Sequence, residues 1–147
     1  MQNSANTRVA VPVVAAVGAN LAVLAVGKAA DASFVVAGRN DGDAPMEIGV
    51  AAVIIASVLP LVIGLVATAL AARRWPRAAG RLRIAGAALA VLSLAAPLTA
   101  DTDSTTRLSL AVMHLVVGAA YLAGTRRTAA SGVTAEAATA QAVGSSR

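Results

Sequence analysis

Four long runs without a charged side chain constrain this sequence more than any other feature: Val9 to Gly27 (19 residues), Ile48 to Ala72 (25), Ile84 to Ala100 (17) and Leu108 to Thr125 (18). A hydrocarbon core about 30 Å thick is crossed by about 20 helical residues, with a range of about 17–25. All four runs fall in that range. They are continuously apolar rather than alternating, which selects helices over barrel strands. Composition agrees, with 58% hydrophobic and 13% charged residues in a chain of 147. A soluble domain carries about 25% charged residues and has no interior large enough for this much apolar surface. The expected fold is an all-α, integral membrane four-helix bundle. Its spans lie at about 9–30, 48–72, 83–100 and 107–125, within a transmembrane domain of residues 9–127. The small, polar ends, 1–8 and 128–147, read as flexible cytoplasmic segments.

The charges give the bundle a direction. Arg8, Arg73, Arg74, Arg77, Arg81, Arg83, Arg126, Arg127 and Arg147 flank the spans on one side, with Glu136 as the single acid there. Lys28, Arg39 and Arg107 lie on the other side, with Asp31, Asp41, Asp43, Glu47, Asp101 and Asp103. Short loops rich in lysine and arginine stay cytoplasmic, so both termini are expected inside the plasma membrane of a bacterium. A rival reading treats the first span as a cleaved signal peptide ending at Ala30-Asp31-Ala32, although its apolar run exceeds the usual 7–15 residues. The net charge of +5 then reads as topology rather than nucleic-acid affinity. With three aromatic residues (Phe34, Trp75 and Tyr121), no base-stacking surface is available. The loop from Arg73 to Arg83 is expected to meet anionic lipid head groups, or alternatively a cytoplasmic partner. Trp75 and Tyr121 read as interfacial anchors.

Small residues four apart allow close helix contact in lipid. The second span offers Ala52, Ala56, Pro60, Gly64, Thr68 and Ala72, and the third offers Gly86 and Ala90. Packing within one bundle is the simpler use of such ridges, and a self-oligomer or a membrane-protein partner is the alternative. Between the first two spans, Phe34-Val35-Val36 is expected to rest on the outer interface and Arg39-Asn40-Asp41-Gly42 to form a turn. Ser104, Thr105 or Thr106 is expected to cap the fourth helix.

Little chemistry is available. No cysteine is present, so thiolate metal sites and cysteine nucleophiles are excluded, and a single histidine cannot form a multi-histidine site. The spans contain no carboxylate, and neither a phosphate-binding glycine loop nor a nucleophile–base set is recognisable. Asp101 and Asp103 are spaced like the start of a calcium loop, without its glycine and distal glutamate. No cofactor, metal site or enzymatic activity is expected. The candidate polar site within the membrane consists of Asn20, Lys28 and His114. Asn20 and His114 fall at similar depth, where a hydrogen bond between them is geometrically allowed, and Lys28 is expected to pair with Asp31. A histidine holding two helices together is the plain reading, and a proton relay or ligand contact is the sharper one.

The stretch ALAARRWPRAAGRLR, a span ending LSLAAPLTADT, and LSLAVMHLVVGAAYLAGTRR beyond it resemble the small actinobacterial membrane proteins grouped as the DUF6069 domain family. The resemblance covers roughly residues 48–127. It implies a four-span bacterial membrane protein of a family without an assigned activity. It places Pro97 and His114 in a family pattern and carries no role over to them. The expected function is that of a structural or accessory membrane protein acting through its helix faces and basic loop. The alternative is a small transporter or channel subunit with a polar path near Asn20 and His114.

Overall fold

The computed structural model describes the backbone of residues 2–38 and 44–144, so the expected turn at Arg39–Gly42 lies outside the described residues. The helices are α1 (Gln2–Ala29), α2 (Val50–Arg74), α3 (Pro76–Leu92), α4 (Ala95–Leu98) and α5 (Ser104–Gly144). Four segments are long and apolar enough to cross a membrane: Val9–Ala29, Val50–Arg74, Arg77–Leu98 and Ser104–Arg126. The all-α four-span architecture stands. α1 packs on α2 and α5, and α3 packs on α2 and α5. A two-residue antiparallel ribbon, β1 (Val35–Val36) with β2 (Met46–Glu47), closes the connection between the first two spans.

Several boundaries differ from the sequence reading. The segment Arg73 to Arg83 is not a loop: α2 ends at Arg74, Trp75 alone turns the chain, and α3 starts at Pro76. Proline suits the first turn of a helix because its missing N–H has no intrahelical acceptor there. The third span therefore starts earlier than expected, and it breaks at Ser93-Leu94 before the short α4. Pro97 causes the break, since it cannot donate to the Ser93 carbonyl and its ring crowds that oxygen. The last helix continues to Gly144 rather than giving way to an irregular tail at 128. Seven alanines between 129 and 142 explain the continuation, alanine being the best helix former. For the same backbone, residues 2–8 join α1 instead of preceding it.

The interior has two apolar clusters. The cluster at the ribbon end, named outer after the expected orientation, holds Leu24, Ala32, Phe34, Val53 and Met113, and the one toward the α2–α3 corner, named inner, holds Ala16, Leu61, Leu65 and Tyr121. On α2 the buried stripe is Val53, Ser57, Leu61, Leu65, Thr68 and Ala71. The small-residue ridge is therefore only half used, with Ala52, Ala56 and Pro60 exposed and Gly64 and Thr68 turned inward. Large side chains also cover the outside, including Ile55, Leu59, Ile63 and Leu70 on α2 and Ile84, Leu89 and Leu92 on α3. Such a surface is stable only against lipid tails or another apolar surface.

Candidate functional site

A polar layer separates the two apolar clusters. Asn20 is 2% exposed, and its Nδ2 donates to Ser57 Oγ at 2.8 Å and to the Met113 carbonyl at 3.4 Å. Ser57 in turn donates to the Val53 carbonyl of its own helix at 2.7 Å. One amide thus ties α1, α2 and α5 together about 13 Å below the outer end of α1, at 1.5 Å per residue. Its Oδ1 is buried and has no donor among the described residues. His114 does not join this layer. Its Nδ1 lies 2.8 Å from the Leu110 carbonyl of the preceding turn. A carbonyl only accepts, so Nδ1 carries the proton in that contact. The expected pairing of Asn20 with His114 is therefore replaced by Asn20–Met113, one residue and about 100° away around α5. Lys28 is also repaired: its Nζ lies 3.8 Å from Glu47 Oε1, across the ribbon, and not with Asp31. The turn at Ala30-Asp31, where Asp31 has φ 59°, carries the chain away from the helix axis before an (i, i+3) pair can form.

At the opposite end, Tyr121 corrects its reading as an interfacial anchor. It is buried, with its ring in a notch made by Gly64 and Gly86, where a Cβ on Gly86 would overlap the ring. Its hydroxyl donates to the Leu82 carbonyl at 3.0 Å and lies 2.9 Å from Thr68 Oγ1, which also reaches the Gly64 carbonyl at 2.8 Å. A tyrosine in a membrane core is stable when its polar end finds such partners. Trp75, by contrast, is exposed, as an anchor should be. It borders an open recess of about 590 Å³ lined by Ala67, Leu70, Ala71, Arg73, Arg74 and Trp75. Arg77 and Arg81 are exposed one turn apart on α3, and Arg83 is half-buried. None of these five arginines has an ion pair or a side-chain hydrogen bond among the described residues.

The family model described as "Family of unknown function (DUF6069)" matches residues 2–131. This chain belongs to that family. The match takes in all four spans of the DUF6069 protein and both polar joints. No curated protein and no solved structure matches the chain.

A further polar cluster of the DUF6069 protein centres on Asp103. Asp103, rather than Ser104, Thr105 or Thr106, caps α5: its Oδ1 accepts from the Thr106 N–H at 2.7 Å, and its carbonyl accepts from the Arg107 N–H at 3.0 Å. Its Oδ2 accepts from the hydroxyls of Ser33 at 2.6 Å and Thr106 at 2.7 Å, and from the Ser33 N–H at 3.2 Å. These bonds, the Ser33 hydroxyl foremost, hold the Asp103 carboxyl well below the usual carboxylate range. Both Asp103 oxygens thus accept hydrogen bonds, and among the described residues no group of three or more histidines, cysteines or acids is placed to hold a metal ion. Thr106 also accepts from the Phe34 N–H at 2.9 Å. That bond places Phe34, at φ 52°, with its ring fully buried against Gly27, not on the outer interface as expected. A bulky residue at positive φ costs about 1–3 kcal/mol, which burial of the ring offsets by about as much. The Asp-Ser-Thr-Thr run, with an acid three residues before the threonine it caps, was the available signal.

Proposed function

We propose that this DUF6069 protein is a non-enzymatic structural or accessory component of the bacterial cytoplasmic membrane, with both termini on the cytoplasmic side. One observation carries the reading: the polar side chains of the described spans bond mostly within the bundle, between helices or along their own helix, with Asn20 Oδ1 left over. Asn20 links three helices, Tyr121 and Thr68 link three more contacts at the inner end, and His114 is engaged by its own helix. What is left for interaction is the apolar outer surface and the arginine-bearing end. The charge asymmetry supports the orientation, since the end carrying Arg73 to Arg83 is the one that positive-inside sorting keeps in the cytoplasm. The transporter or channel alternative needs Asn20 and His114 to face one path, whereas Asn20 bonds to Ser57 and the Met113 carbonyl and His114 to the Leu110 carbonyl.

Crosslinking in native membranes tests the proposal. A membrane-protein partner or a self-oligomer is expected, and a strictly monomeric, partner-free protein overturns it. The absence of cysteine allows topology to be read from single substitutions such as Thr7→Cys and Val36→Cys. A membrane-impermeant thiol reagent added from outside should label the second and not the first.

A further inference from the structure

We infer that the recess at the α2–α3 corner is a binding site for one anionic glycerophospholipid. The recess has two kinds of wall in the order that a lipid presents them. Ala67, Leu70 and Ala71 form an apolar face along the last turns of α2, and Arg73, Arg74 and Trp75 form a cationic and aromatic rim at the helix end. An acyl chain lies against the exposed Leu70, and the phosphate reaches the guanidinium groups, which bind phosphate oxygens in a bidentate fork. The indole of Trp75 suits the glycerol level, where amphipathic rings settle.

Charge complementarity selects the occupant. Arg73 and Arg74 are exposed, lie side by side in sequence, and meet no carboxylate among the described residues, so no described side chain compensates their positive charge. The carbonyls at the C-terminal end of α2 favour cations there, which keeps the arginines in place without neutralising them. A free anion from solution gains only the rim, whereas a lipid gains the rim and the apolar wall together. The inference rests on the membrane placement proposed above but not on its orientation, because both leaflets of a reconstituted disc have the same composition.

Trp75 is the single tryptophan of the chain and sits in the recess, so it reports occupancy directly. The full-length protein is placed in nanodiscs of phosphatidylcholine and phosphatidylglycerol, with brominated acyl chains on one lipid or the other, and Trp75 quenching is compared. Two arginines at a charged surface predict about a thirty-fold preference for the anionic lipid at the recess. The Arg73→Gln/Arg74→Gln double variant should bring the two lipids to parity, and Arg73→Lys/Arg74→Lys should keep most of the preference. Arg77→Gln/Arg81→Gln, outside the recess, should leave it unchanged. Equal quenching of the unmodified protein by both lipids overturns the inference. So does loss of the preference in the Arg77/Arg81 variant, which would assign it to diffuse charge. Competition by inorganic phosphate alone at equal concentration also overturns it, since the apolar wall would then contribute nothing. Failure of the topology experiment with selective quenching intact would strike the proposed orientation and leave this site standing.

Discussion

The two ends of the bundle solve the same problem in opposite ways. At the outer end, the segment around Ser33 and Phe34 is strapped to the start of α5 by bonds from residues about seventy positions apart, centred on Asp103. Thr102 adds a bond to the Val35 carbonyl at 2.7 Å, and Arg107 donates to the carbonyls of Ala100 and Thr102. The Asp103 carboxylate and the Arg107 guanidinium there bond within the chain, and Lys28 pairs with Glu47. At the inner end, one buried tyrosine joins three helices, and the arginines around it are left to the surroundings. The comparison teaches that polarity in this protein has two uses: closure where it is matched by the chain, and contact where it is not.

The largest effect is expected from removing the plug. Phe34→Ala empties a fully buried site, and large-to-small changes of this kind cost about 3–5 kcal/mol. Thermal unfolding in a fixed detergent should record it, together with faster amide exchange at Thr106. Next comes the inner notch. Gly86→Val forces a side chain into the Tyr121 ring, and overpacking costs about 1–3 kcal/mol. Tyr121→Phe keeps the ring and deletes the hydroxyl bonds, for which interhelical bonds in membranes give about 0.6–1.7 kcal/mol. If Gly86→Val proves harmless, the inner end is not held by its tyrosine and the contrast between the ends fails.

Acid should separate the ends further. The carboxyl of Asp103 is depressed in the folded protein, so its contribution is complete above the ordinary aspartate value and is lost as pH falls below about 4 toward the folded value. Between pH 5 and 7 the outer cap should show no change in exchange protection. Below that window it should loosen in the unmodified protein, and Asp103→Asn should remove the acid dependence of that loosening. The smallest effect belongs to the exposed arginines: Arg77→Gln/Arg81→Gln should shift stability by less than about 0.5 kcal/mol, as surface changes without partners do. A larger shift would mean that the inner charges stabilise the fold and not only its contacts.

Much of the architecture was legible because length and charge speak directly to a bilayer. The spans at 9–30, 48–72 and 107–125 lie close to the observed segments, and Asn20 was found because a buried amide in an apolar run has few reasons to exist. The partners were not legible. Asn20 chooses Ser57 and a backbone carbonyl, and hydroxyls are too common in helices to announce such a role. Tyr121 near a span end looks like an anchor until Gly64 and Gly86 are seen to meet around it. The corner at Trp75 was hidden because arginines read as loop, although Pro76 is a legitimate first helical residue. The local half of the cap, Asp103 to Thr106, was there to be read, but its bonds to Ser33 and Phe34 join segments distant in sequence, which no local pattern encodes.

The single-residue corner at Trp75 has a mechanical consequence. α3 carries few buried side chains and is broken near its far end at Ser93, so of the four spans it has the least to hold it in place. Elements with few buried contacts open first. By that rule the third span is the one expected to open first, pivoting at Trp75 and giving up the bond from the Tyr121 hydroxyl to the Leu82 carbonyl.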